Sequence, residues 1–437
     1  MTSSFLPYVQ ASRLYIPSLV VYQGVMGGAI GQTFKVLLQA LTSEPVDPPT
    51  VISAYAQWLR QLMTANATWQ GFIITAILQD DNLFSRQVQR QPWNTLSPRL
   101  LAAVRHDLTI LQSLFEIRES QLLERIQTIM PVPESLTSWG EEVGDLHESV
   151  VMSLFYQQVH QGIPWDQLIS ALGNDYQRHG CGLMGIYRAF RWQGGHLVGV
   201  THPDPVQLSE LIGYETQKEQ LLTNTKHLLA GQPALHVLLY GSRGSGKSSL
   251  VKSLIWDYGG MGLRIVEVTK ADLGQLSEIA NSLRDLPQKF IIFVDDLSFE
   301  EDEDDYKSLK VVLEGNITAP PANVVVYATS NRRHLIREFF GDRPRPSSSD
   351  EVHAWDTIQE KLSFSDRFGL TLTFEPASQD TYLHMIHHLG SSLPISKEEL
   401  ERRALQWATQ HNGRSGRTAR QFIDYLKGEL GLGKESC

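Results

Sequence analysis

Cysteine is nearly missing from this 437-residue chain. Only Cys181 and Cys437 occur, far apart and outside any metal-ligand spacing, which excludes a disulfide framework or cysteine-built zinc site and suits a reducing cytoplasm. A long apolar run is lacking too. The segment Leu14 to Phe34 carries no charge, but Pro17, Gln23, Gln32 and its glycines dilute it below what a membrane span needs. It is expected to be a buried helical or turn segment. The opening MTSSFLPYVQ has neither the basic n-region nor the compact apolar core of a signal peptide. Positive charge is not in excess either: 38 Lys and Arg stand against 48 Asp and Glu, a formal net charge of −10. A nucleic-acid or anionic-lipid partner would therefore need a local basic patch.

Hydrophobic residues make up 42% and charged residues 20%, the composition of an ordinary globular protein, and the length suggests two or three domains. From Val51 to about Arg191 the apolar residues recur at helical spacing. The clearest stripe is Leu101, Val104, Leu108, Leu111, Phe115, Leu122, Ile126 and Ile129, read as one helix face that ends at Pro131-Val-Pro133. Past Gly194-Gly195 short apolar runs alternate with amphipathic segments, the texture of a parallel α/β sheet. Five strands are expected, at His236 to Tyr240, Leu263 to Val268, Phe290 to Val294, Val324 to Ala328 and Leu370 to Phe374. From Ser378 the pattern is helical again, over Gln379 to Leu389, over Lys397 to Gln410 behind the capping box Ser396-Lys-Glu-Glu399, and over Ala419 to Leu430. The expected organisation is an all-α N-terminal domain over 1–196, an α/β core over 197–375 and a C-terminal helical segment over 376–437. The stretch DRPRPSSSDE at 342–351 reads as a surface loop.

The most informative motif is Gly241-Ser242-Arg243-Gly244-Ser245-Gly246-Lys247-Ser248. It matches G-x-x-x-x-G-K-[ST], with the apolar strand HVLLY before it and a helical pattern from Ser249 after it. Glycines at 241, 244 and 246 allow positive φ and bring successive N–H groups against phosphate oxygens, while the helix presents its positive end. Lys247 then reaches the β and γ phosphates, and Ser248 offers a hydroxyl to Mg2+. These residues, with Ser249, predict a nucleoside triphosphate site taking ATP and Mg2+.

Phe290-Ile-Ile-Phe-Val294 followed by Asp295-Asp296 resembles a Walker B segment, in which Asp295 would hold Mg2+ and Asp296 would polarise the attacking water. A strand-end Asp that merely caps the next helix is the plainer alternative for this motif alone. The strand Val324 to Ala328 ends in Thr329-Ser330-Asn331, an amide placed to orient a lytic water. In this order the elements resemble an AAA+ ATPase. Within that class, IGYETQK at 212–218, FVDDLSFE at 293–300, YATSNRRHL at 327–335 and SDRFGLTLTF at 365–374 resemble the uncharacterised family called domain of unknown function 815.

The AAA+ resemblance implies a parallel five-stranded P-loop sheet whose helical C-terminus acts as a lid. It also implies that Asn331 is sensor 1 and that Ile212, Gly213 and Tyr214 pack on adenine. Arg367 would be an arginine finger acting on a neighbouring subunit, with Arg332 and Arg333 as competitors, and Arg417 would be a lid sensor with Arg420 as its rival. A homo-oligomeric ring or partial ring follows, working on a protein client that the residues do not name. The acidic run from Glu300 to Asp305 reads as a solvated helix start, and the arginines at 402, 403, 414, 417 and 420 as ambiguous between nucleotide sensing and nucleic acid. Three rival functions remain: a loader of nucleic-acid complexes, an ATP-binding switch with negligible turnover, for which Asp296 in place of the commoner Glu is the motive, and a small-molecule kinase.

Overall fold

The computed structural model describes residues 5–132, 148–151, 153–299, 305–314, 319–331, 364–411 and 413–432. Arg332, Arg333, the acidic run at 300–304 and the loop at 342–351 lie outside them. The chain divides into two compact units, Met1–Ile186 and Tyr187–Cys437.

The first unit is helical. The uncharged segment near its start forms two short 3-10 turns, Ile16–Ser18 and Gln23–Met26, and then the helix Ala29–Thr42. Asp107, fully buried, fastens it by accepting hydrogen bonds from the N–H groups of Val20, Val21 and Tyr22. No helix among the described residues is long and apolar enough to cross a membrane. Large rings fill the core: Phe34 stacks on Trp69 at 3.9 Å between centroids, and Trp58 meets Trp69 edge-on at 5.7 Å.

The long apolar stripe is two helices rather than one, Pro98–Phe115 and Glu119–Ile129. The break has a visible cause. Trp69 Nε1 donates to the Leu114 carbonyl at 2.8 Å, and Gln70 Nε2 to those of Phe115 and Ile117 at 3.1 Å. Carbonyls that a continuous helix would have used internally are thus satisfied from a neighbouring helix, and Ile117 turns inward to full burial.

The second unit holds a seven-stranded sheet in the order β2-β1-β4-β5-β6-β3-β7. Its strands are β1 (Ala189–Gln193), β2 (His196–Gly199), β3 (Val237–Gly241), β4 (Leu263–Glu267), β5 (Lys289–Val294), β6 (Val324–Ser330) and β7 (Leu370–Phe374). All pairs are parallel except β1 with β2. The five expected strands are present, and the count differs by a hairpin at one edge. Gly194 and Gly195 both take positive φ, +61° and +80°, the geometry a two-residue hairpin turn demands. Residues 189–199 straddle the expected 196/197 boundary and form strands of this sheet.

Helix α1 (Glu215–Leu229) precedes β3, and α2 (Lys247–Tyr258) follows the glycine-rich loop. Strands β3 to β6 are buried on both faces because their sequences are nearly continuous Val, Ile, Leu and Phe. Three helices close the unit: α3 (Gln379–Leu389), α4 (Lys397–Gln410) and α5 (Gly416–Leu432). They share a small core of their own around Tyr382, Ile386, Ala404, Phe422 and Leu426. Ser378 and Ser396 cap α3 and α4 through their hydroxyls.

Candidate functional site

Parallel strands bring their carboxyl ends to one edge of the sheet, where ligands of α/β proteins bind. Strand β3 ends at the glycine loop, β5 at Asp295-Asp296 and β6 at Thr329 to Asn331, and β6 lies between the other two. A cavity of about 700 Å³ opens there, walled by the loop, by the 204–214 segment and by α3 and α5.

The loop has the backbone its glycines foretold, with φ of +139° at Gly241, +75° at Gly244 and +93° at Gly246. Gly241 is also a close approach: a Cβ there would sit 2.0 Å from the Phe374 carbonyl oxygen on β7. The Lys247 ammonium donates to the carbonyls of Gly241 at 3.0 Å and Ser242 at 2.8 Å, and stands 3.4 Å from Asn331 Oδ1. Burial lowers its pKa from the ordinary lysine value, with Arg417 adding to the shift and Asp295 and Asp296 opposing it.

Opposite the loop, Ser248 donates its hydroxyl to Asp295 Oδ1 at 2.6 Å, and Thr329 donates to the same oxygen at 2.5 Å. Asp296 is in the left-handed region at φ +52°, rare for a residue with a side chain and common where strain serves a site. Its carboxylate accepts from Asn331 Nδ2 at 2.7 Å. Asn331 therefore bridges the lysine and the second carboxylate.

These groups suit Mg2+ and a triphosphate. With its hydroxyl directed at Asp295 Oδ1, Ser248 keeps oxygen lone pairs for a cation, and Asp295 keeps Oδ2. Among the described residues no cluster of three or more His, Cys, Asp or Glu could hold a metal; one hydroxyl and one carboxylate are what a Mg2+ completed by phosphate oxygens and water requires.

The end of the cavity lined by residues 212–214 is apolar and close-packed. Tyr214, itself at φ +58°, donates its hydroxyl to the Glu375 carbonyl at 2.5 Å and packs its ring on Phe374. A Cβ on Gly213 would lie 3.0 Å from Thr381 and 3.4 Å from Met385, both on α3. Ile212, Gly213, Tyr214 and Met385 share the cavity wall. The start of α5 also touches the glycine loop, where Arg417 N–H donates to the Gly244 carbonyl at 3.2 Å.

Most of the residues singled out in the sequence meet at this cavity: Arg243 through Ser249, Ile212 to Tyr214, Asp295, Asp296, Asn331 and Arg417 all line it. Gly241 and Ser242 stand behind the wall and serve through their carbonyls to Lys247. Arg367 does not line it. It lies in a 3-10 turn, Phe364–Arg367, before the start of β7, whereas the end of β7, Phe374, pairs with Gly241. Its place is thus at the far end of that strand from its own chain's phosphate loop. Sequence reading missed Thr329, Glu210 and the engagement of Arg420, whose guanidinium pairs with Glu210 at 2.7 Å on the cavity wall. The ending Thr329-Ser330-Asn331 was visible in the sequence, but the 210-residue separation of Arg420 from Glu210 offered no local signal.

The model of the family described as protein of unknown function DUF815 matches residues 186–430, more than half of the chain. The chain belongs to this family. The matched residues of this DUF815 chain contain every residue that lines the cavity, from Asp204 to Arg420. Its fold is a mostly parallel α/β sheet with a glycine-rich loop after β3 and three helices at the C-terminal end. Solved structures similar to it include the RuvB Holliday junction branch migration motor of Thermotoga maritima, 17% identical, covering 51% of this chain and 72% of that one at a TM-score of 0.31. Another is a chain in the HORMA:CdnC:Trip13 complex of E. coli MS115-1, 14% identical, covering 50% and 90% at 0.32. Scores this low do not align two chains residue by residue, so the roles of residues in the DUF815 chain rest on its own geometry. A comparison with curated proteins gives no match.

Proposed function

We propose that this protein is an ATPase that binds ATP with Mg2+ in the cavity, hydrolyses it, and converts the cycle into movement of its helical C-terminal segment. The observation that carries this reading is the hydrogen-bonded chain Lys247, Asn331, Asp296 beside the pair Ser248 and Asp295. Lys247 and the loop N–H groups hold the β and γ phosphates, and Ser248 and Asp295 would hold the ion, which when bound would neutralise the charge that develops on the departing ADP. Asp296 takes a proton from the attacking water as the new oxygen–phosphorus bond forms and the β–γ bridge breaks, giving ADP and phosphate. Arg417 senses the γ-phosphate from the lid. Arg367, remote from its own chain's loop, serves a neighbouring copy in a homo-oligomer. The helical N-terminal region engages a protein client in the cytoplasm.

Purified protein should release phosphate in Mg2+ and none in EDTA. Asp296→Asn should cut turnover on the order of a hundredfold or more while ATP still binds. Turnover absent in the wild type, with ATP binding intact, would favour a second reading, an ATP-loaded switch. The motive for it is specific: Asp296 is short and its carboxylate is already held by Asn331 at 2.7 Å.

A further inference from the structure

We infer that Thr329 is a positioning residue for both carboxylates at the end of β5, and that its hydroxyl is what sets the metal-side and water-side groups in one fixed geometry. This rests on reading the cavity as an ATP and Mg2+ site. Thr329 is 2% exposed and has a single hydroxyl proton. That oxygen lies 2.5 Å from Asp295 Oδ1, which can only accept, and 2.9 Å from Asp296 N–H, which can only donate. Its roles are therefore assigned without choice: donor to one carboxylate, acceptor from the backbone of the next.

Two consequences follow for the site. Asp295 Oδ1 receives two hydroxyl donors, from Thr329 and from Ser248 at 2.6 Å, which fixes the rotation of the carboxylate and leaves Oδ2 for the cation and its waters. Asp296 is the one residue between Asp295 and Leu297 and turns through a left-handed backbone at φ +52°. Thr329 holds the amides on both sides of its Cα, Asp296 N–H through the hydroxyl and Leu297 N–H through its carbonyl at 2.7 Å. That staple aims the Asp296 side chain at Asn331. A threonine, not a serine's bare hydroxymethyl, fills the buried strand end, but within the side chain the hydroxyl carries the positioning.

The test compares Thr329→Val, which keeps the shape and removes the hydroxyl, with Thr329→Ser, which restores it. Losing a hydrogen bond to a charged group costs roughly ten- to a hundredfold in the equilibrium it supports. For Thr329→Val we expect turnover to fall by about that factor and the Mg2+-dependent gain in ATP affinity to vanish, with affinity in EDTA within about twofold of wild type. Thr329→Ser should keep at least about a third of both. A merely structural loss would lower affinity with and without Mg2+ alike. The inference is overturned if Thr329→Val retains wild-type turnover and Mg2+ dependence, or if Thr329→Ser is as impaired as Thr329→Val. Should Thr329→Val fail to fold, the serine variant still decides, since a crippled serine variant contradicts a hydroxyl-only role. Wild-type protein that binds no ATP at all overturns the reading of the cavity, and this inference with it; wild-type binding beside an unaffected valine variant overturns the inference alone.

Discussion

Replacing Gly244 with alanine tests how closely the lid rests on the phosphate loop. The glycine sits at φ +75°, and a Cβ there would come within 2.9 Å of Ser415 Oγ and 3.1 Å of Arg417 Cβ. Left-handed backbone costs an alanine about 1–2 kcal/mol. Moving the 415–417 segment aside also stretches the 3.2 Å bond from Arg417 N–H to the Gly244 carbonyl, about 1 kcal/mol more. A total near 2–3 kcal/mol corresponds to a fall of roughly 4–12 °C in the melting temperature of a unit this size. Gly274→Ala is the control, since nothing lies within 4 Å of its Cβ position and its φ is not positive. Calorimetry on both variants reads the difference directly. A Gly244→Ala protein that melts with the Gly274→Ala control would refute both the contact and the backbone argument.

His236 makes a pH prediction. Its Nδ1 accepts from the Val326 N–H at 2.9 Å, and burial lowers its pKa to about 4. The unfolded chain then binds the extra proton first, so this contribution to stability is full above about pH 6.5 and drains as pH falls toward 4, by at most about 3 kcal/mol. Melts of wild type and His236→Asn across that window should diverge, with the variant flatter; parallel curves would count against it. The two lid arginines should separate as well. Arg420→Ala breaks a half-exposed pair with Glu210 and should shift stability by under about 1 kcal/mol, whereas Arg417→Ala should leave stability alone and weaken ATP binding roughly tenfold. The opposite pattern in melting and titration would make Arg420 the sensor.

What could be read from the residues alone depended on how local the cause was. Strands β3 to β6 are continuous apolar runs because both faces are covered, and the glycine loop declares itself because each glycine answers a backbone need. The edge hairpin escaped because AFRWQ buries only two residues and HLVG none, so neither is a continuous apolar run, and Gly194-Gly195 looked like a break between domains when it is the turn itself. The helix break after Phe115 escaped because its cause is Trp69 and Gln70, some 45 residues earlier. Asp295, Asp296 and Asn331 were legible as residue types at strand ends. The hydroxyl of Thr329 that joins them, and the left-handed turn at Asp296, emerge only once β6 lies beside β5.

The central claim is that this cavity binds ATP through Lys247 with the help of Mg2+, and calorimetric titration of ATP into wild type and Lys247→Ala tests it most directly. Saturable one-site binding that tightens when Mg2+ replaces EDTA, and a variant weaker by about tenfold or more, is the expected result. Wild-type protein with no heat of binding, or a Lys247→Ala variant that titrates identically, would contradict it.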